Sequence, residues 1–190
     1  MTSVHAEHVV ARIEHFDTLA DAVSDLEWVV GTCGLERDKK LPLLSPAEVT
    51  SGATKRNVHQ LGLIFGNEAD GLSNEELAAC DAYVRIPASQ RQPSLNLSHA
   101  VAVLLSRLYS EGELRLSEAD APGRIQAASR RELETLREAW TSLMHRRGYV
   151  TDANEARLPA SLDRMFRRWG MLRTDVRTMM GMLRHLSGED

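Results

Sequence analysis

The sequence predicts an α/β fold with a parallel sheet, followed by a small helical domain. Three short apolar runs, each bounded by glycine, proline or polar residues, have the length of buried strands. Helical patterns separate these runs, and strands that alternate with helices are typical of a parallel sheet covered on both faces. The C-terminal part of the chain has no such run and repeats apolar residues at helical spacing instead.

The strands and helices of the first part can be placed in order along the chain. A helix is predicted over Thr18–Leu26. Before the second strand, "KKLPLLSPAEV" contains two prolines and predicts a loop, in which Ser45 followed by Pro46 predicts a helix start. A capping box of Ser73 and Glu76 predicts another helix after the second strand. The three predicted strands are Glu27–Cys33, Leu61–Gly66 and Ala82–Pro87.

A longer helix is predicted over Leu95–Ser110. Its residues are apolar on nearly every side, which predicts a helix buried in the core. His99 lies on this helix and is predicted to be a packed core histidine rather than a ligand. Residues 1–112 are therefore assigned to the sheet domain.

Residues 113–128 are polar, contain Pro122-Gly123 and are predicted to be a linker to a helical domain over residues 129–190. Ser129 and Glu132 form a further capping box, and Pro159 can start a second helix. We interpret the apolar stripes of the three predicted helices as core: Leu133, Leu136, Trp140, Leu143 and Met144; Leu162, Met165, Phe166 and Trp169; Val176, Met179, Met180 and Leu183.

Composition excludes several classes of protein. With 43% hydrophobic residues the 190-residue chain can bury a core. Its net charge of −4 does not give the chain as a whole the positive charge that is typical of nucleic-acid-binding proteins. Two cysteines argue against a disulfide framework, and no apolar run approaches the roughly 20 residues that span a bilayer. The N-terminus lacks the pattern of a signal peptide, so a cytoplasmic protein is expected. Residues 129–190 carry 12 basic and 9 acidic residues, and residues 1–128 carry 11 and 18.

The ends of the predicted strands indicate a binding site. Ligands of open parallel sheets bind outside the carboxyl ends of the strands, where this chain has Gly31-Thr32, Gly66-Asn67-Glu68 and Pro87-Ala88. "GNEADG" is neither GxGxxG nor a phosphate loop, so a dinucleotide or triphosphate is not favoured. The glycine turn has a purely structural interpretation as well. Ser94 and Asn96 flank Leu95 at a helix start, where one of them suffices as N-cap.

Together these segments resemble a known family. "LIFGNEADGLSNEEL", "AYVRIP" and "PSLNLSHAVAVLL" are similar in order, spacing and residue type to the second and third motifs of the SpoU-type RNA ribose 2′-O-methyltransferases of the SPOUT superfamily. The resemblance covers roughly residues 21–109. "LEWVVGTCG" followed by "LPLLSP" resembles the TrmJ subgroup, which acts on tRNA and carries a C-terminal helical extension.

The resemblance implies a trefoil-knotted fold, S-adenosyl-L-methionine as cofactor, no metal, and a homodimer formed through helices near the site. It implies tRNA as substrate, with rRNA as a second candidate. The cofactor residues would be Thr32, Gly66, Gly71, Leu72, Ile86 and Leu95, and the catalytic residues Glu68, Ser94 and Asn96. The basic C-terminal part would help to bind RNA through its phosphates. Each candidate arginine could equally belong to a solvated face, and the candidates are Arg130, Arg131, Arg146, Arg147, Arg164, Arg167, Arg168, Arg173 and Arg177.

One departure from the family raises an alternative. The family's first motif, an Asn-x-Gly…Arg stretch that precedes the other two, has no counterpart here, so the N-terminal part of the family domain is expected to be missing. The hypotheses that follow are strong self-association or partner dependence, and loss of catalysis. The alternative function is a degenerate or truncated member that binds RNA or cofactor or dimerises without catalysis. An unrelated nucleotide-binding protein would require a phosphate loop that the sequence lacks.

Overall fold

The computed structural model describes residues 7–33, 41–88, 95–110 and 125–188. We call residues 7–110 the sheet region and residues 130–187 the helical region. The sheet region contains the helices α1 (Glu7–Val10), α2 (Leu19–Val23), α3 (Pro46–Lys55), α4 (Asn74–Ala78) and α5 (Leu97–Ser110). Its strands are β1 (Trp28–Thr32), β2 (Leu43–Leu44), β3 (Leu61–Ile64) and β4 (Ala82–Val84).

The four strands form one sheet in the order β2-β4-β1-β3, and every pair is parallel. The three predicted strands are therefore confirmed as parallel neighbours. Strand β2 was not predicted from the sequence and lies inside the predicted loop. Two residues are too few for a periodic pattern, and only the neighbouring strand makes them a strand: Tyr83 N donates to Pro42 O at 2.9 Å and Arg85 N to Leu44 O at 3.0 Å.

Each face of the sheet has its own apolar core. On one face, Val30 and Val84 pack with Val49 of α3 and Leu104 of α5. The opposite face holds a second cluster, which contains Val23, Val29, Leu72, Leu77, Cys80 and Tyr83. Because neighbouring residues of a strand point to opposite faces, burial on both sides requires the continuous apolar runs seen in the sequence.

Capping boxes start three of the helices, at Ser45, Ser73 and Ser129. The boxes at Ser73 and Ser129 were predicted, whereas at Ser45 only the helix start was predicted. At α3, Ser45 N donates to Glu48 Oε2 at 2.7 Å, and Glu48 N donates to Ser45 Oγ at 3.3 Å. The backbone N–H and then the hydroxyl of Ser45 stabilise the ionised carboxylate, which lowers the pKa of Glu48. Local side-chain chemistry therefore defines these helix starts.

The predicted helix after Leu95 is α5, but the prediction that it is buried is wrong. Only Leu104 and Leu108 of this helix are buried, while Leu105 and Tyr109 are exposed, Tyr109 to 89%. His99 is exposed too, so its prediction as a packed core histidine is also wrong. One face of α5 packs against α3 and the sheet, and its apolar residues extend beyond that face.

The helical region consists of α6 (Arg130–Arg146), α7 (Leu158–Trp169) and α8 (Arg173–Ser187), with α6 packed against the other two. The predicted apolar stripes form its core, centred on Leu136 and Phe166. Trp169 is the exception: its ring centroid lies 6.3 Å from that of Phe166, but more than half of the residue is exposed. Trp169 is the last residue of α7, and at this end of the helix its side chain lies partly in solvent.

Residues 125–129 connect the two regions, and we call them the strap. Ala127 and Ala128, which the sequence places in a linker, are buried, and Ala127 forms a β-bridge with Leu172. The rest of the predicted linker, apart from residues 125 and 126, lies outside the described part of the chain. None of the described helices is both long enough and apolar enough to cross a membrane.

Candidate ligand-binding site

A cavity of about 330 Å³ lies at the carboxyl ends of β1, β3 and β4. Its volume lies near the lower end of the range for small-molecule sites, roughly 300–1,000 Å³. Three segments surround it: the end of β1, the turn after β3, and the chain that runs from β4 into α5. The lining residues are Thr32, Cys33, Phe65, Gly66, Asn67, Glu68, Ala69, Asp70, Gly71, Leu72, Leu77, Val84, Ile86, Leu95, Leu97 and Ala100.

The turn after β3 is held closed by its own backbone. A Cβ atom on Gly66 would lie 2.1 Å from the carbonyl carbon of Gly71, so only glycine fits there. Gly71 has φ +70°, a left-handed conformation that favours glycine. Asn67 Oδ1 accepts hydrogen bonds from the N–H groups of Ala69 at 3.0 Å and Asp70 at 2.7 Å. The two glycines are thus required by the shape of the turn that lines the cavity.

The other walls combine backbone ties with apolar side chains. The Thr32 hydroxyl donates to Ile64 O at 3.1 Å, which joins the end of β1 to β3. Cys33 N donates to Val84 O at 3.0 Å and continues the pairing of β1 with β4. Leu72 and Val84 are buried, and together with the half-buried Ile86 and the exposed Leu95 they form an apolar wall.

The predicted site residues fall into three groups. The six predicted cofactor residues and Glu68 all line the cavity. Asn96 does not: its Oδ1 accepts from Ser98 N at 3.0 Å and Ser98 Oγ at 2.7 Å, and its carbonyl accepts from Ala100 N at 2.9 Å. Asn96 therefore caps α5, the structural role that its sequence position also allows. Ser94 lies outside the described residues, and its role stays a prediction.

Several lining residues were not singled out from the sequence. Asn67 was named only as part of a strand end, although it carried a second signal, because asparagine side chains often accept hydrogen bonds from the turn that follows them. Cys33 could also have been predicted as a lining residue, since it directly follows Thr32 at the end of a predicted strand. The missed lining residues are Cys33, Phe65, Asn67, Ala69, Asp70, Leu77, Val84, Leu97 and Ala100.

The charge of the cavity selects among ligands. No Lys or Arg lies among its described lining residues, whereas Glu68 and Asp70 are carboxylates. A site for a phosphate-rich ligand normally supplies cations or a helix N-terminus to the phosphates. Glu68 is exposed and makes no ion pair with another described residue. The lining thus suits a ligand with a positive charge better than a nucleotide phosphate.

Cys80 lies behind β1 and takes no part in lining the cavity. A Cβ on Gly31 would lie 2.7 Å from Cys80 Sγ, so the thiol fills the space beside that strand. Burial raises the pKa of Cys80 to about 11. A neutral buried thiol is a packing group rather than a nucleophile. Within the described ranges, no three His, Cys, Asp or Glu residues are grouped as metal ligands.

These features define an α/β protein with a cavity of ligand size at the carboxyl ends of a parallel sheet and a C-terminal helical extension. Residues 1–106 match the SpoU rRNA Methylase family, and the chain belongs to that family. It is TrmJ-like: over 193 residues it is 28% identical to the "tRNA (cytidine/uridine-2'-O-)-methyltransferase TrmJ" of Yersinia pestis (strain Pestoides F), covering 99% of this chain and 75% of that protein.

Two further similarities agree with this assignment. The chain is 38% identical over 116 residues to the "tRNA (cytidine-2'-O-)-methyltransferase TrmJ" of Methanocaldococcus jannaschii, and the match covers 58% of this chain and 49% of that protein. The crystal structure of TrmJ from Z. mobilis ZM4 superposes with a TM-score of 0.66 at 22% identity, over 96% of this chain and 77% of that one. The predicted SPOUT fold class with C-terminal helices is confirmed.

Proposed function

We propose that this chain transfers a methyl group from S-adenosyl-L-methionine to the 2′-hydroxyl of a ribose in tRNA. Family membership and the names of the two TrmJ relatives support methyl transfer to tRNA. The observation that carries the proposal is the cavity, in which all six residues that the resemblance assigns to the cofactor meet at one sheet edge.

The lining fits the cofactor chemically. S-adenosyl-L-methionine, when bound, supplies an activated methyl group on a positively charged sulfonium. Glu68 and Asp70 give the cavity the opposite charge, and Leu72, Ile86 and Leu95 offer an apolar wall for a purine ring. Gly66 and Gly71 bring the turn backbone close to the ligand, so that peptide groups can bind its polar atoms.

The residues at the open side of the cavity would act on the RNA. A ribose hydroxyl is a weak nucleophile, so it needs a base or accurate positioning. Glu68 is an exposed carboxylate on the cavity wall, and we assign it to the ribose end of the site together with Ser94 and Asn96. Asn96 would act by fixing the start of α5, since its side chain is engaged with Ser98.

Calorimetric titration tests the cofactor site. We expect S-adenosyl-L-methionine to bind with micromolar affinity. Glu68→Gln should weaken this binding by a few-fold and should change the affinity for the product S-adenosylhomocysteine less, because only S-adenosyl-L-methionine carries a positively charged sulfonium. Glu75→Gln is the matched control, since Glu75 is an exposed acid outside the lining. Absence of binding in a folded protein contradicts the cofactor site.

Methyl transfer tests the reaction. The purified chain is incubated with S-adenosyl-L-methionine and unmodified tRNA, and the nucleosides are analysed by mass spectrometry for 2′-O-methyl products. Formation of 2′-O-methylated nucleosides supports the proposal, with rRNA fragments as the second substrate to compare. Cofactor binding without transfer to either RNA would instead favour the non-catalytic alternative.

The helical region is the proposed RNA-binding surface. Arg164, Arg168 and Arg177 are exposed and pair with no carboxylate among the described residues. Other predicted contacts are already engaged: Arg130, Arg131, Arg167 and Arg173 form ion pairs, while Arg146 and Arg147 donate to Ser187 Oγ and Leu186 O at 2.7 Å. Replacing Arg164 or Arg168 by Gln should weaken tRNA binding and reduce the slope of log K against log salt concentration by about 1 for every phosphate that the variant no longer neutralises.

A second copy of the chain is the proposed partner of α5. Leu105 and Tyr109 form an exposed apolar stripe one helical turn apart, on the helix that also carries the cavity residue Ala100. Leu105→Lys should shift sedimentation toward the monomer, and Ser106→Lys serves as control because Ser106 is an exposed polar residue on the same helix. An unchanged sedimentation coefficient for Leu105→Lys would contradict an α5 dimer.

The trefoil knot and a cytoplasmic location also belong to the proposal, in line with the family resemblance.

A further inference from the structure

The turn after β3 has the form of an anion site. A glycine-rich turn between a parallel strand and a helix commonly directs successive backbone N–H groups at a phosphate or carboxylate. Here the turn runs from Gly66 to Gly71 along the cavity, Gly71 has φ +70°, and α4 follows with Ser73 as its N-cap. What the N–H groups of this turn already bind therefore decides which charge of ligand it can hold.

Asn67 accepts hydrogen bonds from the N–H groups in the middle of this turn. Its side-chain Oδ1 accepts from Ala69 N at 3.0 Å and from Asp70 N at 2.7 Å. Its backbone carbonyl accepts from Gly71 N at 3.0 Å, and Asn67 and Gly71 form a β-bridge. Three consecutive N–H groups, those of residues 69–71, are therefore bonded to a single residue of the same turn. An anion in the cavity could reach them only by displacing Asn67.

The start of α4 is also closed to an external anion. Ser73 N donates to Glu76 Oε2 at 2.6 Å, and Glu76 N donates to Ser73 Oγ at 3.2 Å. This capping box puts a carboxylate of the chain itself at the positive end of the helix, where a bound phosphate would otherwise lie. The helix start that follows the turn is thus paired with a negative charge of its own.

The groups that the turn leaves for a ligand are mainly hydrogen-bond acceptors. No described residue donates to the carbonyl oxygens of Glu68 and Ala69. The Glu68 side chain is exposed on the cavity wall and Asp70 also lines the cavity, so both carboxylates repel an anion. The N–H of Glu68 has no partner among the described residues, but one donor beside its own carboxylate makes a poor phosphate site. A ligand with a positive charge and N–H donors fits these groups better.

We propose that Asn67 is a specificity-determining residue: by binding the N–H groups of its own turn, it leaves an acceptor surface in place of an anion site, so that the cavity favours a ligand of net positive charge over a phosphorylated nucleoside. The proposal rests on the proposed cofactor site and does not depend on methyl transfer. S-adenosyl-L-methionine carries its sulfonium on the carbon that carries the phosphate in adenosine 5′-phosphate. The two ligands therefore share adenosine and place opposite charges at the same position.

The first experiment compares ligands of different charge by calorimetric titration of the full chain. In the parent chain, adenosine 5′-phosphate should bind at least about tenfold more weakly than adenosine, because its phosphate meets carboxylates instead of N–H donors. Asn67→Ala releases the N–H groups of residues 69 and 70, so the affinity of adenosine 5′-phosphate relative to adenosine should rise about tenfold. Asn67→Asp keeps an acceptor oxygen and should retain the parent ratio. Asn74→Ala is the matched control, since Asn74 is an exposed asparagine outside the lining.

The outcomes separate this proposal from the cofactor site. A turn that only loses its shape in Asn67→Ala would weaken adenosine, adenosine 5′-phosphate and S-adenosyl-L-methionine alike. An unchanged ratio of adenosine 5′-phosphate to adenosine affinity, with S-adenosyl-L-methionine still bound by the parent chain, would therefore overturn the role of Asn67 alone. Equal affinity of the parent chain for these two adenosine ligands would overturn it as well. Absence of S-adenosyl-L-methionine binding in the folded parent chain would contradict the cofactor site and this proposal together.

The second experiment detects the hydrogen bonds of Asn67 without a ligand. Ala69 and Asp70 are exposed residues, so their amide protons should exchange rapidly with water unless Asn67 binds them. In NMR exchange measurements corrected for intrinsic rates, we expect both amides to exchange at least about tenfold more slowly than the amide of Glu68. This protection should be lost in Asn67→Ala and kept in Asn67→Asp. Unprotected amides in the parent chain, or protection that persists in Asn67→Ala, would overturn the proposal.

Discussion

The sheet region and the helical region are built on different principles. In the sheet region, the candidate site is shaped by backbone: Gly66 and Gly71 set the turn, and strand ends supply the walls. In the helical region, three amphipathic helices enclose a side-chain core around Phe166 and present arginines outside. The sheet region is acidic along the chain and the helical region is basic.

This difference teaches which changes each region tolerates. A backbone-shaped cavity is lost when one atom is added at a glycine, although the core beneath it stays packed. A side-chain core responds to lost volume, and its surface charges can be changed with little effect on folding. Substitutions in the helical core should therefore lower stability and leave ligand affinity unchanged, whereas substitutions at the turn should lower ligand affinity. Four predictions test that separation.

Gly66→Ala should have the largest effect. Its Cβ would collide with Gly71 and Leu72 N, at 2.1 and 2.3 Å, and these backbone atoms belong to the turn itself. We expect S-adenosyl-L-methionine affinity to fall at least about tenfold, with the cost of overpacking on the order of 1–3 kcal/mol in stability. Calorimetric titration measures the loss. Retention of full affinity would show that the cofactor lies elsewhere.

Leu136→Ala removes a fully buried side chain from the helical core. We expect the free energy of unfolding of the helical region to fall by about 2–5 kcal/mol, while cofactor affinity is retained. Leu104→Ala is the matched change in the sheet region, where Leu104 anchors α5 beside the cavity residue Ala100. It should lower stability by a similar amount and cofactor affinity as well. Equal loss of affinity in both variants would break the separation.

Cys80 should make the sheet region sensitive to alkaline pH. Burial raises the pKa of its thiol to about 11 from an ordinary value of 9.0, so the folded state holds the proton more tightly than the unfolded state. Its contribution is fully present below pH 9 and is lost as the pH rises from 9 to 11. Urea unfolding across this range should show a decline that is reduced in Cys80→Ala. An identical slope in both proteins would contradict the assignment.

Gly181→Ala should have the smallest effect and the opposite sign. Gly181 is an exposed residue of α8, and an added Cβ meets no atom within 4 Å. Alanine should stabilise the helical region by about 0.5–1 kcal/mol because it restricts the unfolded chain and favours a helix. Gly52→Ala is the control in α3, where the Cβ would lie 2.9 Å from Trp28 Cη2 and should destabilise. Thermal unfolding of both variants measures the difference in sign.

Local signals in the sequence predicted most elements of the fold. The capping boxes at Ser73 and Ser129 were recognised because their residues lie three apart, so no tertiary contact is needed to see them. Ser45 followed by Pro46 predicted a third helix start in the same way. The strand β2 was missed because its pairing with β4 comes from residues far away in sequence. The apolar residues of α5 predicted burial wrongly, because the same side chains serve a core or an exposed surface.

The candidate site was predictable to a similar extent. The glycine turn was recognised because its residues are contiguous and typical of a ligand loop, and its tight geometry agrees with that interpretation. The capping role of Asn96 was one of two interpretations, and its side chain does accept hydrogen bonds from Ser98 at the start of α5, while its catalytic role stays a prediction. The ion pairs of Asp81 could not be predicted from the sequence, since its partners Arg130 and Arg167 lie 49 and 86 residues away along the chain.

The sequence by itself determined the parallel α/β class, the helix starts, the glycine turn and the division into an acidic and a basic part. These follow from short-range patterns: capping, hydrophobic periodicity and backbone conformation depend on residues close together in the chain. Tertiary structure alone decided the order β2-β4-β1-β3, the exposed face of α5 and the ion pairs of Asp81 with Arg130 and Arg167. Those features arise from contacts between distant residues, whose pairing depends on how all the elements pack together.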